Sequence, residues 1–124
     1  MNAASFGDTI IVRDGNYIEN IDVNKRLTIR SENGSDFTLV QAQSSNDYVF
    51  DVRADYVNLS GFTVKGATSY PGSGIYLGSG IDHCSITDNN ASNNFYGISL
   101  ESSSSNNTLS KNTVNWNSLN GISL

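Results

Sequence analysis

The stretch YGISLESSSSNNTLSKNTVNWNSLNGISL, residues 96–124, opens and closes on the same four letters, GISL at 97–100 and GISL at 121–124. A variant of the phrase, SGIYL, occupies 73–77. Laid over one another, the three phrases place Ile75 and Leu77 over Ile98 and Leu100, and these over Ile122 and Leu124, at offsets of 23 and 24 residues. Phe50 and Val52 of YVFDV (48–52) fall one step earlier, at an offset of 25. A second set of columns appears when CSITDNNA (84–91) is laid over TLSKNTV (108–114). Ile86 then meets Leu109, Asn89 meets Asn112 and Ala91 meets Val114, all 23 residues apart. LSGFTV (59–64) supplies Leu59, Phe62 and Val64 to the same columns, 27 residues upstream. Agreement among independent columns at a fixed period is the mark of a repeat architecture.

Within each segment apolar residues alternate with polar ones, as in Ile98-Ser99-Leu100, Cys84-Ser85-Ile86 and Phe62-Thr63-Val64. Period two means a strand with one buried face. Hairpins are excluded, because the intervening SSSSNN and DNN segments lack the tight two-residue turns that a hairpin demands. Helices are disfavoured by the Asn, Ser, Gly and Thr content. What remains is a coil whose strands each lie, parallel and in register, on their counterparts one repeat away. That is a parallel β-helix with rungs about 4.8 Å apart. Asn89 and Asn112 fall at a corner, where inward amides are expected to bond one another and the backbone of the turn. The first third is less regular: Ile21/Val23, Leu27/Ile29 and Val40 read as a first, longer rung, with SENGSD (31–36) as a surface loop.

Length suits one domain. Net charge is −5, and after Lys65 only Lys111 is basic. Nucleic acid is therefore not an expected partner, since phosphate binding needs clustered cations. The second half would read as disordered by composition alone, but its regular Ile, Leu and Val spacing argues for order. A single cysteine, Cys84, precludes an internal disulfide. No apolar run reaches the length of a membrane span, and the chain does not begin with a signal-type h-region.

Candidate functional residues are the outward ones between the inward pairs. In one strand column these are Asp22, Asp51, Tyr76, Ser99 and Ser123, with Arg53, Gly78 and Glu101 just after. Asp51, Arg53, Tyr76 and Glu101 would share an exposed sheet face, where carboxylates, a guanidinium and an aromatic ring suit a saccharide. Asp51 and Glu101 lie two rungs apart, about 10 Å, at the long edge for a glycoside-hydrolysing pair. His83 and Cys84 are adjacent in a strand and so face opposite ways, which rules against a shared metal ion. ESSSSNN (101–107) has no accompanying base and reads as a turn. Phe95, Tyr96 and Trp116 stand near the corner before GISL. Four N-x-S/T sequons, at Asn33, Asn58, Asn90 and Asn106, fit an exported glycoprotein. No catalytic residue, metal site or cofactor is assigned.

The segments GDTIIVRDGNYIENIDVNKRLTIRSENG (7–34), DYVNLSGFTVKG (55–66) and the GISL…NNTLSKNTVNWN…GISL repeats (97–124) resemble the right-handed parallel β-helix proteins. That group includes NosD-like periplasmic and archaeal cell-surface proteins as well as carbohydrate-binding proteins and sugar hydrolases. The resemblance implies a right-handed single-stranded parallel β-helix of about four rungs. It implies one domain over 1–124, with 1–47 an irregular rung and cap remnant and 48–124 the regular repeats. The usual N-terminal capping helix would be reduced to NAAS (2–5), and the C-terminal end would be open. Pectate-lyase-like members use Asp clusters for calcium and Arg or Lys bases, and no such cluster maps onto these residues. NosD-like members are linked to copper delivery. The expected role is a non-catalytic extracellular module, structural or carbohydrate-binding, of a larger cell-surface or periplasmic protein. The alternative is a fragment of a polysaccharide lyase or glycoside hydrolase. Expected partners are an envelope glycan or other polysaccharide, and a second copy joined through the edge at Gly121–Leu124.

Overall fold

The computed structural model describes residues 3–124. Met1 and Asn2, the latter the first residue of the expected cap remnant, lie outside them. The described residues contain fourteen strands and no helix. The first turn is made by β1 (Thr9–Val12), β2 (Gly15–Ile18) and β3 (Ile21–Val23). The second contains β4 (Thr28–Ser31), β5 (Thr38–Gln41) and β6 (Phe50–Val52). The third contains β7 (Asn58–Ser60), β8 (Thr63–Lys65) and β9 (Ser73–Leu77), and the fourth β10 (Ser85–Thr87), β11 (Asn90–Ala91) and β12 (Tyr96–Leu100). The fifth has β13 (Thr108–Ser110) and β14 (Asn120–Ser123), its middle strand reduced to a bridge between Asn90 and Thr113.

Every ladder is parallel and joins a strand to its counterpart one turn away. The sheets run β1-β4-β7-β10-β13, β2-β5-β8-β11 and β3-β6-β9-β12-β14. This is a parallel β-solenoid of about five turns, and the register read from the sequence is the register observed. Phe50 pairs with Ile75, Ile75 with Ile98 and Ile98 with Ile122. Leu59 pairs with Ile86, and Ile86 with Leu109. The additional turn comes from the N-terminal third. β1 and β2 already pair with β4 and β5, so Ile21/Val23 close a turn that begins at Thr9.

Inward side chains of equal position stack along the axis: Ile29, Leu59 and Ile86; Val40, Val64 and Ala91; Phe50, Ile75 and Ile98. Each buried Ile, Leu or Phe contributes about 1.5–3 kcal/mol by removal from water. The stacks fade toward the end of the chain. Ile98 is fully buried, whereas Ile122 is 45% and Leu124 93% exposed. Leu124 also lies beyond the paired residues of β14. The expectation that Ile122 and Leu124 complete buried stacks is therefore corrected, because no rung covers them here.

Three corner columns turn the chain, each built from residues with positive φ. They are Tyr56, His83 and Asn106; Gly61, Asp88 and Lys111; and Gly66, Asn93 and Trp116. The next residue in each case points inward. In the third turn it is apolar (Val57, Phe62, Ala67), and in later turns it is mostly asparagine (Asn89, Asn94, Asn107, Asn112, Asn117). Each asparagine reaches back one turn with both ends of its amide. Asn89 Oδ1 accepts from the Phe62 N–H at 3.0 Å while its Nδ2 donates to the Leu59 carbonyl at 3.0 Å. Asn94 does the same with Ala67 N–H and Val64 C=O, Asn112 with Asn89 N–H and Ile86 C=O, and Asn117 with Asn94 N–H and Ala91 C=O. Asn107 serves Cys84 N–H and Ile81 C=O. Of the two kinds of bond expected for Asn89 and Asn112, the amide-to-backbone bonds are the ones observed, and their amides do not bond one another. A corner interrupts the sheet and leaves buried N–H and C=O groups that must find partners. The amide carries one donor end and one acceptor end, and so satisfies both.

The glycine of the GI phrase has an equally local cause. A Cβ on Gly97 would meet the Gly121 carbonyl oxygen and stand 2.8 Å from Asn117 Nδ2. On Gly74 it would stand 2.8 Å from Asn94 Nδ2 and 3.0 Å from a Val64 methyl. At Gly74 and Gly97 the phrase thus keeps a residue without a side chain beside the amide ladder, whereas one turn earlier, ahead of that ladder, Val49 holds the position.

Candidate functional site

The sheet β3-β6-β9-β12-β14 carries the outward column read from the sequence. Asp22 pairs with Asp51, Asp51 with Tyr76, Tyr76 with Ser99 and Ser99 with Ser123. Three of the four candidate residues come together. Arg53 Nε donates to Asp51 Oδ1 at 2.6 Å and Nη2 to Oδ2 at 3.2 Å, a bidentate ion pair. The same guanidinium lies over the Tyr76 ring, 5.4 Å from its centroid. Gly78 makes this possible, since a Cβ there would come within 3.3 Å of Arg53 Cδ.

Tyr48 completes the patch and was not singled out by sequence reasoning. Its ring lies parallel to that of Tyr76 with centroids 3.8 Å apart. Covered by Tyr48 and Arg53, Tyr76 is only 9% exposed. Burial is the leading cause that raises the phenol pKa of both tyrosines above the ordinary value. Burial also raises the Asp51 carboxyl, outweighing the opposing hydrogen bond from Arg53, while that bond raises the guanidinium. Glu101 follows β12 as an exposed residue and acts on both phenols through its charge. Its place is at the patch's margin. Spacing alone found Asp51, Arg53 and Tyr76, but the stacking of Tyr48 on a ring one turn ahead follows from side-chain direction.

Elsewhere on the outer surface the aromatic residues divide. Phe95 is half-buried between Tyr70 and Tyr96 in edge-to-face contacts of 5.7 and 4.9 Å. Trp116 is 86% exposed at its corner. ESSSSNN forms a turn in which Ser104 Oγ donates to the Gly78 carbonyl. Among the sequons, Asn33, Asn58 and Asn106 are exposed, whereas Asn90 is half-buried in β11 with its side-chain oxygen accepting from Ser92.

His83 and Cys84 point apart, but not by the strand alternation expected of them: His83 stands at a corner with φ 59° and Cys84 just ahead of β10. Cys84 is buried, its Sγ donates to the Ala54 carbonyl at 3.4 Å, and burial raises the thiol pKa. His83 is exposed and stacked on Tyr56.

A family model described as "Periplasmic copper-binding protein (NosD)" matches residues 1–124. A cell surface glycoprotein of Methanothermus fervidus is 40% identical over 89 residues, which are 72% of this chain and 14% of that protein. The chain thus spans a small part of that relative. No solved structure matches it. Copper in the family's description was tested against the side chains present. Soft-ligand copper sites gather thiolate, thioether and imidazole donors. Here the one thiol is turned into the core and the one imidazole out of it, and no three His, Cys, Asp or Glu side chains cluster among the described residues. The described residues do not fit a copper site. With its whole length matched and its strands wound as a parallel solenoid, the chain belongs to the NosD family.

Proposed function

We propose that this chain is a non-catalytic module of a larger cell-surface or periplasmic protein, a rigid β-helical spacer that also binds carbohydrate. The observation that carries the non-catalytic part of this reading is the closed patch on the outer sheet. The Asp51 carboxylate is held by Arg53, Arg53 by Asp51 and the Tyr76 ring, and Tyr76 by Tyr48. Such groups stiffen a surface. A glycosidase needs instead two free carboxylates facing one bond. The description of the family as periplasmic and the name of the cell surface relative support an extracytoplasmic place. The fold by itself assigns no activity, so the reading rests on the site.

The test is to incubate the chain with pectin, alginate, chitin and bacterial or archaeal wall glycans, measuring both product formation and retention on the insoluble polymers. Retention without turnover is expected. Turnover that disappears in Asp51→Asn or Glu101→Gln would overturn the reading in favour of a polysaccharide-active enzyme. Absence of retention on every polymer would overturn its carbohydrate clause.

A further inference from the structure

The corner column that precedes the Val57 and Cys84 positions carries Tyr56 and His83 on successive turns. Both have positive φ, 60° and 59°. For a bulky aromatic this is uncommon backbone, where glycine or asparagine is tolerated better. The two other corner columns use Gly61 and Gly66 in the turn where this one has Tyr56. The ring at Tyr56 is therefore not what the turn requires.

Its surroundings give it a use. The Tyr56 and His83 rings are stacked, 4.8 Å between centroids and 10° from parallel, with Tyr56 53% exposed. No other ring or cation stacks on Tyr56 among the described residues. Two open clefts flank it, about 490 and 310 Å³, and Tyr56 and Arg26 line both. These volumes fall in the range of small-ligand sites. Leu27 precedes Val57 by one turn, since Asn58 N–H donates to the Leu27 carbonyl, so Arg26 is the member of this column one turn before Tyr56. Its guanidinium extends to the neighbourhood of Gly7, where a Cβ would lie 3.6 Å from Nη2, and it forms no ion pair among the described residues. Asn58 stands in the smaller cleft with its amide donating to Thr28 Oγ1. The larger cleft holds Lys25, whose ammonium donates to the Ala4 carbonyl, and one carboxylate, Asp55. Asp55 Oδ1 already accepts the Asp82 N–H at 2.8 Å.

We infer that Arg26, Tyr56 and His83 form a binding site for a carboxylated saccharide, a uronate unit of an envelope polymer. The apolar face of a sugar ring packs on the stacked rings, and the fork of Arg26 takes the carboxylate in bidentate fashion. The chain's net charge is −5, so an acidic polymer approaches against the overall field. Selectivity for it has to come from the Arg26 guanidinium, which lines both clefts. The inference rests on the carbohydrate-binding reading above, and places the site at a corner, away from the Tyr48–Tyr76 patch.

Titration calorimetry of the chain with an oligogalacturonate, alongside the same oligomer with its carboxyls reduced to alcohols, tests it. Binding of the acidic oligomer alone is expected. Tyr56→Asn should weaken it by about tenfold or more, and asparagine accepts positive φ, so the corner keeps its fold. Arg26→Gln should weaken the acidic oligomer by a similar factor and remove the preference over the reduced one. Nuclear magnetic resonance shifts of the His83 ring on titration supply a reading independent of the variants. Acidic-oligomer binding undiminished in both variants, with unmoved His83 signals, would overturn this site and leave the carbohydrate reading standing. Equal binding of the reduced oligomer would overturn the uronate assignment. Binding of neither oligomer would also overturn this site, and the retention assays on the other polymers would then decide the broader reading separately.

Discussion

The N–H of Ala67 donates to Oδ1 of Asn94, 27 residues on and one turn along the axis, at 3.1 Å. Asn94 is 1% exposed, and its Nδ2 donates in turn to the Val64 carbonyl. Asn94→Ala would leave a buried donor and a buried acceptor unsatisfied, a loss of about 2–4 kcal/mol. The same change at half-buried Asn117, nearer the chain's end, is expected to lose less, because water reaches the freed groups. Chemical denaturation of the two variants measures the difference, and equal losses would show that the ladder does not act through burial.

Gly97→Ala is expected to destabilise by about 1–3 kcal/mol or more, as overpacking does. The new methyl would press on the Gly121 carbonyl and the Asn117 amide, which cannot withdraw without breaking the β12–β14 ladder. Gly121→Ala, whose nearest contacts begin at 3.0 Å, should lose less. Thermal melts of both variants check the order.

Stability should decline in alkali through Tyr48 and Tyr76. Burial raises both phenols above the ordinary value of 10.0. In the unfolded chain they ionise near that value, while in the folded chain they remain protonated. The unfolded state therefore binds fewer protons above pH 10, and stability falls as pH rises. Tyr76→Phe should flatten this decline in melts recorded across the alkaline range. An unchanged slope would remove Tyr76 from the effect.

Self-association of the 124-residue chain is expected through the edge at Gly121–Leu124. Ile122 and Leu124 are exposed there, with Leu119 at 58% and Trp116 at 86%. An uncovered strand edge with apolar neighbours recruits another chain. Sedimentation should show a dimer or higher species that weakens in Ile122→Pro, which lacks the ladder donor. A strictly monomeric chain at high micromolar concentration would refute it.

Much of this fold is legible in one dimension because a solenoid repeats its contacts at a nearly constant sequence distance. Ile75, Ile98 and Ile122 stand in one column of the sequence for the same reason that they stand in one ladder of the structure. Alternation named the inward face, and the Asn-rich corners were visible at Asn89 and Asn112. The parallel pairs at Asn94 and Asn117, and at Asn107, follow the same 23-residue spacing or the same Asn-Asn dipeptide, and were open to the same reading.

What the sequence determined by itself was therefore the strand columns, their register, and the outward places of Asp51, Arg53 and Tyr76. Tertiary structure decided what those side chains touch. Spacing fixes where a Cα stands but not where a long side chain leans. Only in three dimensions does Tyr48 cover Tyr76 and Arg53 turn back on Asp51, closing the face that looked open. The direction of the asparagine amides was likewise decided there, by backbone groups that each corner leaves without partners. So was the pairing of Tyr56 with His83, which a positive φ swings outward and the turn height brings into contact.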